Sequence, residues 1–441
     1  MQVRSMTDSI IMAYNELQLL FLYLEIYLWC IFIMVTVLCV LWFCSCWIGP
    51  SQEIIPTERY PDGWPQRQYA TLLHRAIVDD LDMFVPNGLA ISHGNVGAAL
   101  GILFHGSNGS TAEEVREAMN QPEIEQLGIQ SPTAGSHFKE LRYIGVFVPP
   151  ELNLSSGYVQ KIRNMGGDLV STQPIRTMRR LARKLWQLSP SLSTLIDRND
   201  LPFDVKIQPE IFIVTGAAFS AEWDNAGFHR ENRRLREFNV DKRRRTYVDT
   251  MYSLARRRQV ARLSNLRSTM LLLPLANSSV KFMVILPWKL EGLRQLEQEL
   301  EFVDLRRLLQ SDMEKVEYDV RLPIIDLTTH IQLARGMDYL GVQRAFQRDE
   351  ADFSRVTGQA DGLWVRSMAH YTKLKLNENG INLKHHGQPL ADWNREISRH
   401  DAGRTANHFF ASHPFFFALL DERKIYATGR YGQIMVQPDD V

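Results

Sequence analysis

Beyond residue 46 the sequence contains no cysteine; all four, Cys30, Cys39, Cys44 and Cys46, fall in one apolar run near the N-terminus. The rest of the chain therefore has no disulfide, no zinc knuckle and no thiol nucleophile. Net charge is absent as well, because 50 Lys and Arg balance 50 Asp and Glu, so no global field draws the protein to nucleic acid or to an anionic membrane. There is no GxSxG elbow, no P-loop, no HExxH and no CxxC. His385-His386 has no carboxylate–histidine pattern beside it at ligand spacing. These absences leave no positive case for an enzyme, and neither catalytic residues, metal nor cofactor are expected. No repeat of fixed period appears.

What is present begins with the run from Tyr27 to Ile48, which holds no charged residue and meets the usual length of about 20 for a membrane-spanning helix. Its position and its small and turn residues at the end also suit a signal peptide. The flank does not set orientation, because Arg4 stands against Asp8, Glu16 and Glu25. Three further alternatives stay open: a retained anchor, translation from Met34, and a buried soluble helix. The reading adopted is a signal peptide or signal anchor with its flank over 1–50, a polar spacer over 51–66, and a secreted, extracellular remainder, membrane-anchored if residues 27–48 are retained. Sequons at Asn108, Asn153 and Asn277 are compatible with that route. The segments Arg230–Arg245 and Ala255–Arg258 are densely basic; a solvated strand and turn explains them, and a polyanion partner at 230–258 is the sharper expectation.

Helical periodicity opens at Arg67–Leu81, with Tyr69, Leu72, Leu73, Ala76 and Ile77 on one face. A short strand follows, then a helix whose Gly97, Ala98, Ala99 and Gly101 imply a crowded interior. A further helix is expected to open at Thr111 with Glu114 as a capping box. Strand-like runs occur at 143–148, 211–219, 269–275, 280–287, 315–323, 363–376, 415–420 and 425–432, with helical patterns at 290–300 and 330–342. Interspersed elements without regular βαβ alternation predict an α+β fold with large mixed or antiparallel sheets.

The order of segments resembles the serpin family. Gly362–Gly380, with His370 and an Asn-Glu-x-Gly end, is similar to the strand and hinge before the serpin bait loop, and 413–432 to the terminal strand pair. The strand leading to Trp223 and Phe228, the small-residue helix, and the stretches FMVILPWKLEGLRQLEQEL and GVQRAFQRDEADFS also match, covering roughly 67–437. The resemblance implies one domain of three mixed or antiparallel β-sheets with eight or nine helices, monomeric, with an exposed bait loop at 381–408. In such a fold the loop offers a bait bond to a serine or cysteine protease and, once acylated, inserts as a new strand in the main sheet.

The resemblance places a hinge at Glu378, Asn379, Gly380, Ile381, Asn382, Leu383 and Lys384, and a shutter at Asn95, Thr215 and His370, with His93 where a proline is usual. Arg395, Arg399 and Arg404 are the candidate bait residues. Where inhibitory members carry alanines, this chain has INLKHHGQP. A buried imidazole without a partner costs about 1–3 kcal/mol, and Pro389 cannot donate to a central ladder. The expectation is a serpin-like protein that is non-inhibitory or weakly inhibitory and acts by binding another protein or a small ligand. The alternative is a working inhibitor of trypsin-like proteases. His385, His386, His400, His408 and His413 are expected to make the loop sensitive to mild acid or metal.

Overall fold

The computed structural model describes residues 69–81, 88–119, 137–171, 174–194, 210–313, 316–360, 362–381 and 407–432. The chain opens with α1 (Tyr69–Leu81), β1 (Gly88–Ser92), α2 (His93–Gly106) and α3 (Gly109–Met119). It continues through β2 (Lys139–Phe147), α4 (Ser156–Asn164), β3 (Asp168–Val170), α5 (Pro174–Leu188), α6 (Pro190–Ser193) and β4 (Glu210–Glu222). Strands β5 (Arg234–Asn239), β6 (Arg245–Arg257), β7 (Gln259–Leu263), β8 (Ser268–Pro274) and β9 (Lys281–Pro287) precede α7 (Leu293–Leu300). Then come β10 (Glu317–Pro323), β11 (Ile325–Gln332), α8 (Ala334–Tyr339), α9 (Ser354–Thr357) and the long β12 (Trp364–Asn377). The two-residue β13 (Gly380–Ile381) follows, with β14 (Asn407–Phe410), β15 (Phe415–Leu420) and β16 (Ile425–Tyr431) at the end.

Nine α-helices among the described residues surround three sheets, an α+β architecture. The main sheet has the order β11-β12-β13-β4-β2-β3, the second β1-β16-β15-β9-β8-β7, and the third β14-β10-β6-β5. Pairing is mixed: β12 runs parallel to β4, and β14 parallel to β10, while their other neighbours are antiparallel.

One core joins all three sheets, with Phe219, Leu374 and Leu376 from the main sheet, Phe282 and Phe417 from the second, and Phe238, Val320 and Phe409 from the third. Strand β15 shows how residues divide between layers: Phe415, Phe417 and Leu419 enter this core, and Phe416, Ala418 and Leu420 face α7 on the other side. That is the two-residue period of a strand buried on both faces. Helix α2 is apolar around most of its circumference and is buried nearly all round, as its small residues implied.

Several local expectations are corrected. Helix α3 starts at Gly109, two residues before Thr111. Glu114 accepts from the backbone N–H groups of Gln343 (2.9 Å) and Arg344 (2.8 Å), and Thr111 Oγ1 from Asp352 N–H (3.0 Å), so tertiary donors take the capping-box groups. The helix expected over 330–342 is only Ala334–Tyr339. His330–Gln332 pair with β12 instead, and Leu333 N–H extends that ladder to Met368 O at 2.7 Å. The basic segment is the β5–β6 hairpin with its turn. That agrees with the solvated strand and turn by which its charge pattern was explained. The two ends of the expected bait-loop segment 381–408 lie in sheets, Ile381 in β13 and His408 in β14; residues 382–406 lie outside the described residues.

Phe417 is fully buried with its ring stacked on Phe282 (centroids 5.5 Å apart), where it ties the first core to the terminal strand pair. Phe417→Ala should lower the free energy of unfolding by about 3–5 kcal/mol, measured as a fall in the denaturant midpoint.

Candidate functional site

The site forms where β12 ends. Asn377 Oδ1 accepts from Asn379 N–H (2.9 Å), an Asx turn that reverses the chain. Trp223, just past β4, donates its indole N–H to Asn377 O (2.8 Å) and its backbone N–H to Asn379 O (3.3 Å). Gly380 then enters between the strand ends at φ +143°, where a Cβ would lie 2.0 Å from Ala221 O. Only glycine fits this approach. Ile381 is fully buried between Leu376 of β12 and Ala221 of β4. Glu378 is buried beside this turn, 3.8 Å from Arg233, which also pairs with Asp249; among the described residues the Glu378 Oε1 finds no hydrogen-bond donor.

Below the wedge, β12 and β4 pair directly, from Trp364↔Glu210 to Lys373↔Ala218. At the centre of this seam His370 Nδ1 lies 2.7 Å from Thr215 Oγ1. Its Nε2 accepts from Ser92 N–H (3.0 Å) and faces Thr372 Oγ1 (2.6 Å). Because Nε2 accepts, the proton sits on Nδ1 and the ring is neutral. Thr215 Oγ1, having accepted it, can donate to Ala369 O at 3.3 Å. Burial pushes the His370 pKa down to about 3.

Asn95 stands beside this pair without joining it. Its Nδ2 donates to Gly216 O (2.6 Å), and its Oδ1 accepts from Arg142. His93 is also buried, with Nε2 2.7 Å from Thr428 Oγ1; His74 Nδ1 meets the same hydroxyl at 2.9 Å, and His74 Nε2 reaches Glu297 at 3.1 Å. Burial, followed by the nearby His74 and His370, holds His93 well below the ordinary imidazole range. Sequence reasoning missed His74, Thr428 and Glu297. The only signal was a histidine on the apolar side of α1.

Asn382, Leu383, Lys384, His385, His386, Arg395, Arg399, His400 and Arg404 lie outside the described residues. His408 is half-exposed and stacks on Phe410 (4.8 Å) in β14, and His413 Nε2 donates to Pro287 O (2.8 Å). Both are therefore sheet-associated groups rather than part of the loop. Asn153 and Asn277 are exposed, Asn277 in the β8–β9 turn at φ +50°, whereas Asn108 is half-buried at the α2–α3 junction. In the basic segment Arg233 meets Asp249, Lys242 meets Glu291 (2.8 Å), Arg244 meets Asp241 (2.6 Å) and Arg245 meets Glu237 (3.2 Å). Among the described residues no group of three His, Cys, Asp or Glu could hold a metal, and no helix is long and apolar enough to cross a membrane. The run Tyr27–Ile48 lies outside them.

The long strand ending in a glycine wedge and the buried Thr–His seam lie within the stretch matched by a known protein family. The family described as Serpin (serine protease inhibitor) matches residues 86–433. The chain belongs to the serpin family. Serpins are generally protease inhibitors rather than catalysts, and some members are non-inhibitory binders. Among the curated serpins it resembles is Serine protease inhibitor 42Dd of Drosophila melanogaster, 23% identical over 358 residues that cover 78% of this chain and 90% of that protein. Two solved serpins share the fold. Serpin48 of the insect Tenebrio molitor has a TM-score of 0.67 at 17% identity, covering 84% of this chain and 98% of its own. Human thyroxine-binding globulin has a TM-score of 0.68 at 17% identity, covering 83% of this chain and 97% of its own.

The depressed histidines set a pH dependence. An unfolded imidazole takes up a proton near pH 6.5, whereas native His370 does so only near 3. The unfolded state thus binds more protons as pH falls below about 6.5, and native stability is lost in that direction. His93 acts with the same sign. Each should shift the unfolding equilibrium about tenfold per pH unit below 6.5, and His370→Gln should remove its share of the slope in denaturation series between pH 7 and pH 5.

Proposed function

We propose that this serpin is an exported binding protein whose loop is cut by trypsin-like proteases as a substrate and does not trap them. The observation that carries the reading is the register of β13. Ile381 opposes Leu376 on one side and Ala221 on the other, and Gly380 opposes Asn377 and Glu222. A chain continuing in that register would set Leu383 between Leu374 and Phe219, which suits it. Lys384 would then fall between Lys373 and Ala218. Lys373 already shares Asp326 with Lys375 (3.0 Å for Lys375), and like charges directly opposite one another destabilise a sheet.

The following steps are no better. His385 would lie between Thr372 and Ala217, both fully buried. His386 would lie beside Gly216, where a Cβ already comes within 2.8 Å of Leu188 of α5. Pro389 would stand between Met368 and Ile213 in the interior of the sheet, where its missing N–H breaks the ladder. Insertion must also separate β12 from β4 and break the Thr215–His370 hydrogen bond. Because trapping is a race against hydrolysis, a barrier raised by about 1.4 kcal/mol slows insertion tenfold. A serpin fold can serve binding instead, as the solved complex of thyroxine-binding globulin with thyroxine illustrates. Export rests on the uncharged run Tyr27–Ile48.

Incubation of the full chain with trypsin tests the reading. Cleavage after Arg395, Arg399 or Arg404, with active protease released and no detergent-resistant complex, is the expected result. The combined variant Lys384→Ala, His385→Ala, His386→Ala and Pro389→Ala should gain complex formation. A stable covalent complex with the unaltered chain would overturn the proposal in favour of an inhibitor with a basic bait residue.

A further inference from the structure

Arg75, Arg258 and Arg430 are the buried arginines among the described residues. Arg75 meets Asp79 at 2.6 Å and Arg430 meets Glu297 at 3.5 Å. Arg258 meets no carboxylate among the described residues. Its Nη2 donates to Ala226 O (2.5 Å) and to Ser253 Oγ, and its enclosed Nε finds no acceptor among them. Its Nη1 makes no hydrogen bond there either and, unlike Nε, stays open to water. Burial, and then the charge of Arg256, lower the Arg258 pKa to about 10. A charge taken out of water is costly unless it is paired, and two neutral acceptors leave this one without its counter-charge.

Arg256 turns to the same place. Its Nη1 donates to Asn225 Oδ1 at 2.8 Å, and its side chain lies flat against Gly227, where a Cβ would stand 2.5 Å from Nε and 2.7 Å from Cζ. Gly227 has φ +66°, so this approach needs glycine twice over. Two guanidinium groups thus close on three consecutive residues, Asn225, Ala226 and Gly227, in the turn just after Trp223. Asp224 beside the turn and Glu317 across from Arg257 pair with neither of them.

We propose that this turn is a binding site for a single small oxyanion of the phosphate or sulfate type. A planar guanidinium fork matches a pair of anionic oxygens, and two such forks call for a doubly charged group. The way in runs past Asn225, which is exposed, and Arg256, which is half-buried. Arg258 is only 9% exposed, too recessed for a polymer to follow, so the ligand is a free ion rather than a sulfated or phosphorylated chain. The site uses neither the loop nor export, and its test stands apart from the function proposed above.

Calorimetric titration of the full chain with inorganic phosphate, at ionic strength held constant with sodium chloride, decides the matter. One saturable site per chain is expected, and phosphate should raise the melting temperature, because a ligand of the native state stabilises it. Arg258→Gln should abolish both effects. Should that variant fail to fold, Arg256→Gln, at a half-buried position outside the core, still decides: it should weaken phosphate binding about tenfold or more. Arg257→Gln, exposed on the opposite face of β6, should bind phosphate as the unaltered chain does. No saturable heat, unchanged affinity in Arg256→Gln, or loss of binding in Arg257→Gln would each overturn the proposal. So would heparin displacing phosphate far better than free sulfate at equal charge, since that result would mark an extended polyanion surface in place of a single-ion site.

Discussion

The backbone ladder between β12 and β4 is the constraint on which the rest depends. Two parallel strands in the middle of a sheet must present their N–H and C=O groups to each other or to a third strand. Here both solutions coexist along one pair. At the top, Gly380–Ile381 fill the gap; below Lys373 the strands bond directly. The junction between the two regimes is where a third strand would have to advance, and the side chains around it determine whether it does. Lys373, Lys375 and their shared Asp326 stand on one face, and α5 presses on Gly216 one step lower.

The buried polar groups hold the closed arrangement from beneath. His370 bridges β12, β4 and the end of β1 with a single neutral ring, which requires each partner in place. Asn95 and Arg142 brace the neighbouring carbonyls of Gly216 and Gly94. A second set, His93, Thr428, His74 and Glu297, ties α2 and α1 to β16 and α7. Both sets sit in low dielectric, so they are strong when complete and costly when broken. Opening the seam would separate Thr215 from His370 and leave one of them to find another partner.

Much of this was legible in the sequence, and unevenly. The phenylalanine block and the strand 363–376 declared themselves because both faces of a buried strand are apolar, which leaves a continuous run. His370, Thr215 and the Asn-Glu-Asn-Gly turn were found through the order of segments. Asn95 was grouped with His370, although its amide turns instead to a carbonyl one residue along. Glu114 looked like a cap because spacing says nothing about donors arriving from residues 343 and 344. The strand-and-turn reading of the basic segment matches the β5–β6 hairpin, but the carboxylates that pair with its arginines were not legible. The register of Ile381 lay beyond sequence reasoning, since a two-residue strand has no period to read.

Thermal unfolding of the full chain before and after a single cut within 382–406 tests most directly whether the loop can displace the β12–β4 pairing. If insertion stops near Ile381, the two melting temperatures should agree within a few degrees, a difference worth about 1–2 kcal/mol. A cut form that melts about 10 °C or more above the intact one would show that a full strand has entered the seam past Lys373, contradicting the register argument.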